Sequence, residues 1–356
     1  MWIGSSRVSR QIALGLCLIC LSLADLGSAA PTQGPTLHVC ATVPELGDLA
    51  RAVGGQQVSV TVFAKGTEDP ERIEAKPSFI KALREADLYI ELGGVEAGWA
   101  PQLLQAAGNI RLLPGAPGHL DASTALTHAA DYVGAPGPYY LLDPLNGLVV
   151  AARIRDKLIQ LQPRQKAFFT TQYDAFARRL AGALLGEQLA RKYGSERIPE
   201  LATLFEHDNL GTFLQARGDL PLLGGWFGKM YPHYGEVVVA DTKIWGYFAQ
   251  RFGLKMLGEI EPKPGVAATT KHLRELVQTM RAENDKLVIV TVYYDPRQAQ
   301  FIADQTGAQV IRLAHRIDAV PEADDYISLF NYDVQKLAAH GTHPPRPGRF
   351  EIHQER

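Results

Sequence analysis

The chain is predicted to be an α/β protein of two lobes, each a parallel sheet covered by helices, joined by one long helix. Two patterns in the sequence carry that prediction. Short runs rich in Val, Ile and Leu alternate with segments of helical periodicity in two separate blocks, residues 36–162 and 198–340. Strands separated by helices pair in parallel through right-handed crossovers. Between the blocks, Pro163–Tyr193 reads as a single amphipathic helix, with Phe169, Tyr173, Phe176, Leu180 and Leu184 on one face at three- and four-residue steps. At 356 residues the chain also exceeds what one core usually covers.

In chain order, a strand is expected at Leu37–Thr42, a helix at Pro44–Val53 closed by Gly54 and Gly55, and a strand at Val58–Ala64. A charged loop, Lys65–Pro77, follows. Helix Ser78–Ala86, strand Leu88–Leu92, helix Trp99–Ala107 and strand Ile110–Leu113 complete the first block, and 115–138 reads as a loop with His119 and His128. Tyr139, Tyr140 and the Asp143–Pro144 pair lead into a helix over Leu145–Leu161. Pro163 suits the first turn of the long helix and Gly194 its end, while Gly182 and Gly186 weaken its continuity by about 1 kcal/mol each.

After a mixed segment with a short helix before Gly218, the second block begins with strand Val237–Asp241, helix Ile244–Phe252 and strand Lys255–Ile260. Helix Thr270–Glu283, strand Leu287–Tyr293, helix Arg297–Thr306, strand Val310–Leu313 and helix Tyr326–Ala339 follow. The Pro-rich end, 341–356, is expected to be a disordered tail.

The first residues form a different kind of segment. Arg7 and Arg10 precede the apolar run Ile12–Leu23, and Gly27, Ser28, Ala29 and Ala30 follow. This is the layout of a secretory signal over 1–29, cleaved after Ala29. The run is shorter than the ~20 residues of a membrane anchor, and Cys17 and Cys20 lack the small residues that precede a lipid-attachment cysteine. An exported, soluble protein is expected, with Cys40 as its one mature cysteine, buried in a strand. Net charge is −2, from 36 basic and 38 acidic residues evenly mixed, which recommends neither nucleic acid nor an anionic membrane as partner.

Parallel sheets present their ligand-binding loops at the carboxyl ends of the strands, so a ligand is expected in the crevice between lobes. No enzyme is expected. No Gly-x-Gly-x-x-Gly after a strand, Walker loop, Gly-x-Ser-x-Gly elbow or His-Glu-x-x-His pair occurs. Asp324 and Asp325 read as a solvated helix start, and His340, His343 and His353 as scattered tail histidines rather than a metal site.

Several phrases in these loops occur together and in order. They are Gly66–Ser78 with its Glu-Asp-Pro-Glu, Gly137–Gly147, Trp245–Leu254, Glu261–Gly265, Leu223–Trp226 and Val320–Tyr326. With them the mature chain resembles the metal-binding solute-binding proteins of bacterial zinc and manganese ABC transporters over nearly its whole length. The resemblance implies two α/β lobes on one long helix, one divalent ion, zinc or manganese, held between them, a membrane permease as partner, a periplasmic location and a monomer.

It also implies where the ligands stand. The family's three metal histidines fall at Glu71, Tyr139 and Thr242, and its fourth ligand falls in the loop offering His315 and Asp318. Glu71, Tyr139, Thr242 and His315 are therefore the expected cleft set, with Glu71 and His315 the best metal donors. Zinc prefers imidazole and thiolate, whereas oxygen donors suit harder ions. The set accordingly points to another cation or to a small polar molecule, and Glu68, Asp69, Asp241 or His119 would be recruited only in a rebuilt site. An accessory periplasmic protein on the same scaffold is the alternative. Glu74 and Lys76 are expected to brace the first loop, and Asp143 to orient its loop or cap the following helix.

Overall fold

The computed structural model describes residues 36–126, 139–261, 267–283 and 287–340. The signal expected over 1–29, His128, and the tail 341–356 with His343 and His353 lie outside them.

The first sheet is built from β1 (Leu37–Ala41), β2 (Val58–Val62), β3 (Leu88–Glu91) and β4 (His119–Asp121), in the order β2-β1-β3-β4 with every pair parallel. Helices α1 (Pro44–Gly54), α2 (Pro77–Glu85) and α3 (Ala100–Ala107) make its crossovers. The second sheet repeats the plan with β5 (Val237–Ala240), β6 (Lys255–Glu259), β7 (Leu287–Thr291) and β8 (Gln309–Leu313), ordered β6-β5-β7-β8 and again parallel. Its helices are α10 (Gly246–Arg251), α11 (Thr270–Glu283), α12 (Arg297–Thr306) and α13 (Tyr326–Ala338). Every residue of β7 is buried, as expected of a strand covered on both faces. Between the sheets run α4 (Pro144–Leu161), α5 (Lys166–Leu185), α6 (Glu187–Tyr193), α7 (Ile198–Glu206), α8 (Leu210–Gln215) and α9 (Gly225–Met230).

Two sequence expectations are corrected. The long helix is not continuous over 163–193: Pro163–Gln165 is a 3-10 turn, and the helix breaks at Gly186, whose φ is 83°. The cause is tertiary. Gly224 donates its N–H to the Leu185 carbonyl at 2.9 Å, and a Cβ at Gly186 would lie 2.9 Å from the Gly224 Cα. The Gly224–Gly225 pair thus docks on the helix and takes the carbonyl that would have continued it.

The apolar stretch Ile110–Leu113 is not a strand either. Asn109 accepts from Arg111 N–H and donates to the carbonyls of Leu83 and Ala86, folding 110–112 into a 3-10 turn that leaves Ile110 77% exposed. The edge position beside β3 goes to His119–Asp121, inside what reads as loop. Side-chain turn chemistry outweighs the apolar run.

The predicted face of α5 is the buried one: Phe169, Phe176, Leu180 and Leu184 are at most 1% exposed. It packs on α1, α4 and α9. Half-buried Tyr173 is covered by the Arg155 guanidinium, 4.5 Å from its ring. Cys40 is buried in β1 with its thiol pushed up to about 12 by burial. Among the described residues no helix is long and apolar enough to cross a membrane.

Candidate functional site

In both sheets the chain leaves the first strand to one side and returns on the other, so the switch points lie between β1 and β3 and between β5 and β7. Crevices open at the carboxyl ends of such strands. The residues found there are Thr42 and Glu45 after β1, Leu92 and Glu96 after β3, Asp241 and Thr242 after β5, and Tyr293 after β7, with His315 and Arg316 following β8.

The seam between the lobes is closely joined. Glu45, in the first turn of α1, accepts from Arg316 Nη1 at 3.2 Å and from Ile317 N–H at 3.0 Å; both charged groups are buried. Burial pushes the Glu45 carboxyl up and the Arg316 charge pulls it down, with burial the larger effect. Asp143 caps α4 through Leu145 N–H at 2.9 Å and receives two hydrogen bonds of 2.8 Å from Arg251 of α10. The cap is thus joined to a bidentate interlobe ion pair. Tyr326 at the start of α13 donates its hydroxyl to the Leu141 carbonyl and its N–H to Asp48. Gly66 comes so near the loop after β8 that a Cβ there would lie 2.1 Å from the Ile317 carbonyl oxygen.

Tyr139 and His315 meet edge to face, ring centres 5.8 Å apart. Both ring nitrogens of His315 lie 3.1 Å from the Tyr293 hydroxyl. Burial, and secondarily the Arg316 charge, hold the imidazole well below its ordinary pKa, so it is neutral with a lone pair to offer. Burial also raises the Tyr139 phenol; Arg316 opposes this, while the carboxylates of Asp69, Glu71 and Asp241 add to it. Beneath the Tyr139 ring is a cavity of about 10 Å³ walled by Glu45, Leu92, Leu141 and Arg316, at the lower limit for one water.

Glu71 is exposed on the 3-10 turn Pro70–Arg72, its backbone N–H held by the Asp69 carboxylate at 2.9 Å. The loop is pinned by Trp99, whose indole donates to the Pro70 carbonyl at 2.8 Å. Glu74 is exposed, and Lys76 lies over the Phe79 ring rather than across the loop.

Thr242 does not join the cleft group. It is fully buried, and its hydroxyl accepts from Ile244 N–H at 3.4 Å, capping the turn Lys243–Trp245. Asp241 accepts from the N–H groups of Thr242 and Thr291 and from the Trp245 indole. Its carboxylate thus organises the ends of β5 and β7. His119 pairs with Glu91 at 3.1 Å on the sheet edge, and Asp318 serves a backbone turn at a φ of 63°. Tyr293, Arg316 and Glu45 are the cleft residues that sequence reasoning missed. The signals for them were the tyrosine pair after β7, the arginine beside His315, and an acid in the first turn after β1.

Two parallel sheets, bridged by helices and meeting at their strand ends, define a two-lobed solute-binding protein. The chain belongs to the ZnuA family, described as zinc-uptake complex component A, periplasmic, which it matches over residues 39–216 and 228–340. Among curated relatives, the metal ABC transporter substrate-binding lipoprotein SloC of Streptococcus mutans is 21% identical over 335 residues, 91% of this chain and 96% of its own length. The manganese ABC transporter substrate-binding lipoprotein PsaA of Streptococcus pneumoniae is 19% identical over 341 residues, covering 93% and 98%. A crystal structure of ZnuA superposes with a TM-score of 0.61 at 21% identity, covering 85% of this chain and 98% of that one. A manganese-bound periplasmic metal-binding protein from Candidatus Liberibacter asiaticus gives 0.57 at 16% identity, covering 84% and 97%. These structures share the fold.

Proposed function

We propose that this chain is the periplasmic, monomeric cargo-binding component of an ABC importer for a divalent cation, which it delivers to a membrane permease. Cargo is taken between Glu71 on the first loop and the Tyr139–His315 pair, with Asp69 beside them. The observation that carries this reading is the buried His315 imidazole meeting Tyr139 edge to face at the seam between the lobes, with Asp69 and Glu71 exposed on the first loop. One nitrogen and several oxygen donors favour a harder ion such as manganese over zinc, which selects for imidazole and thiolate. Thr242 has no exposed surface with which to meet a ligand; its part is to hold the turn after β5. The curated relatives, named as substrate-binding parts of metal transporters, support the class of cargo.

The test is elemental mass spectrometry of protein purified natively from the periplasm, beside a Glu71→Ala/His315→Ala variant. Bound manganese in the wild type, lost from the cleft variant, supports the reading. A cleft that holds no cation in either protein, while the fold is intact by circular dichroism, overturns it and leaves an accessory scaffold.

A further inference from the structure

At the opposite end of the C-terminal sheet, three metal-ligating side chains converge. His233 ends the 3-10 turn Tyr231–His233, Glu236 immediately precedes β5, and His340 follows α13. The Nδ1 of His233 lies 3.0 Å from one Glu236 carboxylate oxygen, and the Nε2 of His340 lies 2.9 Å from the other. The two imidazoles are 3% and 7% exposed and face each other at 4.7 Å. All three donor atoms fall within 4.8 Å of one another, and among the described residues this is the group of three or more His, Cys, Asp or Glu that does so.

We propose that His233, Glu236 and His340 form a second divalent-cation site, selective for zinc and independent of the cleft. Two imidazoles and one carboxylate are a zinc donor set that leaves a fourth position for water. The support behind the donors is also of the right kind. The Nδ1 of His340 abuts the Leu337 carbonyl, which fixes the ring and turns Nε2 toward the centre, as partners behind metal-bound histidines commonly do. Without metal, the carboxylate's oxygens are satisfied by imidazole N–H groups. When zinc enters, His340 keeps its Nδ1–H on the Leu337 carbonyl and releases the Nε2 proton to solvent, while His233 binds through Nδ1 with its single proton moved to Nε2, so both ligands are neutral imidazoles.

A hydrogen-bonded clamp between α13 and β5 is the competing account. It explains the contacts, but it does not require two nearly dry imidazoles to place both donor nitrogens on one carboxylate. The cleft cannot share these ligands: Glu236 lies before β5 and Asp241 after it, separated by four strand residues at about 3.3 Å each.

The test uses full-length, chelator-treated Glu71→Ala/His315→Ala protein, so that cleft binding is silenced. Cobalt(II) titration is expected to give the visible bands of a tetrahedral site, and equilibrium dialysis to retain one zinc per chain. Adding His340→Ala or His233→Ala should weaken retention by at least about tenfold, whereas adding His343→Ala/His353→Ala should leave it unchanged. Should either cluster variant fail to fold, Glu236→Gln keeps the side chain's size and removes its charge, and the same loss is expected. No cobalt bands and no retained zinc in the starting protein, or retention unaffected by His340→Ala, overturns the site.

Discussion

The cleft and the far end of the C-terminal sheet put the same side-chain types to different uses. In the cleft, the buried carboxylate of Glu45 is answered by the fixed positive charge of Arg316, and His315 sits between two tyrosines, edge to face with Tyr139 and tilted against Tyr293. At the far end, Glu236 is answered by two imidazoles. Burial acts to raise both carboxyls. It prevails at Glu45, whereas at Glu236 the two imidazoles overcome it and hold the group at about 2. A third buried acid, Asp333, receives the Ala314 N–H at 2.8 Å, and burial drives its pKa well above the ordinary carboxylate range. What differs between these acids is the partner each one meets. A guanidinium makes the acid a brace, whereas imidazoles leave it exchangeable for metal.

The largest effect should come from breaking a brace. Glu45→Ala strands the buried Arg316 and is expected to cost about 3–5 kcal/mol by urea unfolding; Asp143→Ala takes two hydrogen bonds from Arg251, which keeps Glu206 at 3.0 Å, and is expected to cost about 1.5–3 kcal/mol. Asp143→Ala adds the lost helix cap. A cost below about 1 kcal/mol for either would mean that the cleft charges are not structural.

Asp333→Asn is next and runs the other way. The folded pKa of Asp333 lies above its unfolded value of 3.8, so above about pH 4 the folded state binds the extra proton. Its contribution to stability therefore declines as pH rises, until the folded pKa is passed. The amide removes that decline and should stabilise the protein at pH 7 by about 1–3 kcal/mol, with no gain at pH 3. Equal effects at both pH values would contradict the assignment.

Smaller still, Thr242→Val should cost about 1 kcal/mol as a lost cap and leave cleft affinity for manganese unchanged by isothermal titration. A tenfold loss of affinity would return Thr242 to the ligand set.

Much of the fold was legible in the sequence. The bounds of α11 and α12 are those that helical periodicity predicts, because both are two-faced surface helices. The failures have tertiary causes. Gly186 breaks the long helix because Gly224 docks on it, and Ile110–Leu113 bends because Asn109 spends its amide on α2. In the cleft, Tyr139 and His315 come together, but the hydroxyl of Thr242 is used by its own backbone, which position in a phrase cannot reveal. His340 read as a tail histidine, yet it is buried against Glu236, 104 residues away in the chain. Only the return of the chain after α13 to the start of β5 makes that pair.

The contrast between the two ends is tested most directly by metal stoichiometry after dialysis against manganese and zinc together. It should be measured by elemental mass spectrometry on the wild type, on Glu71→Ala/His315→Ala and on His233→Ala/His340→Ala. The account predicts two ions per chain in the wild type, zinc alone in the cleft variant and manganese alone in the far-end variant. A single ion lost equally in both variants, or none in the wild type, would contradict it.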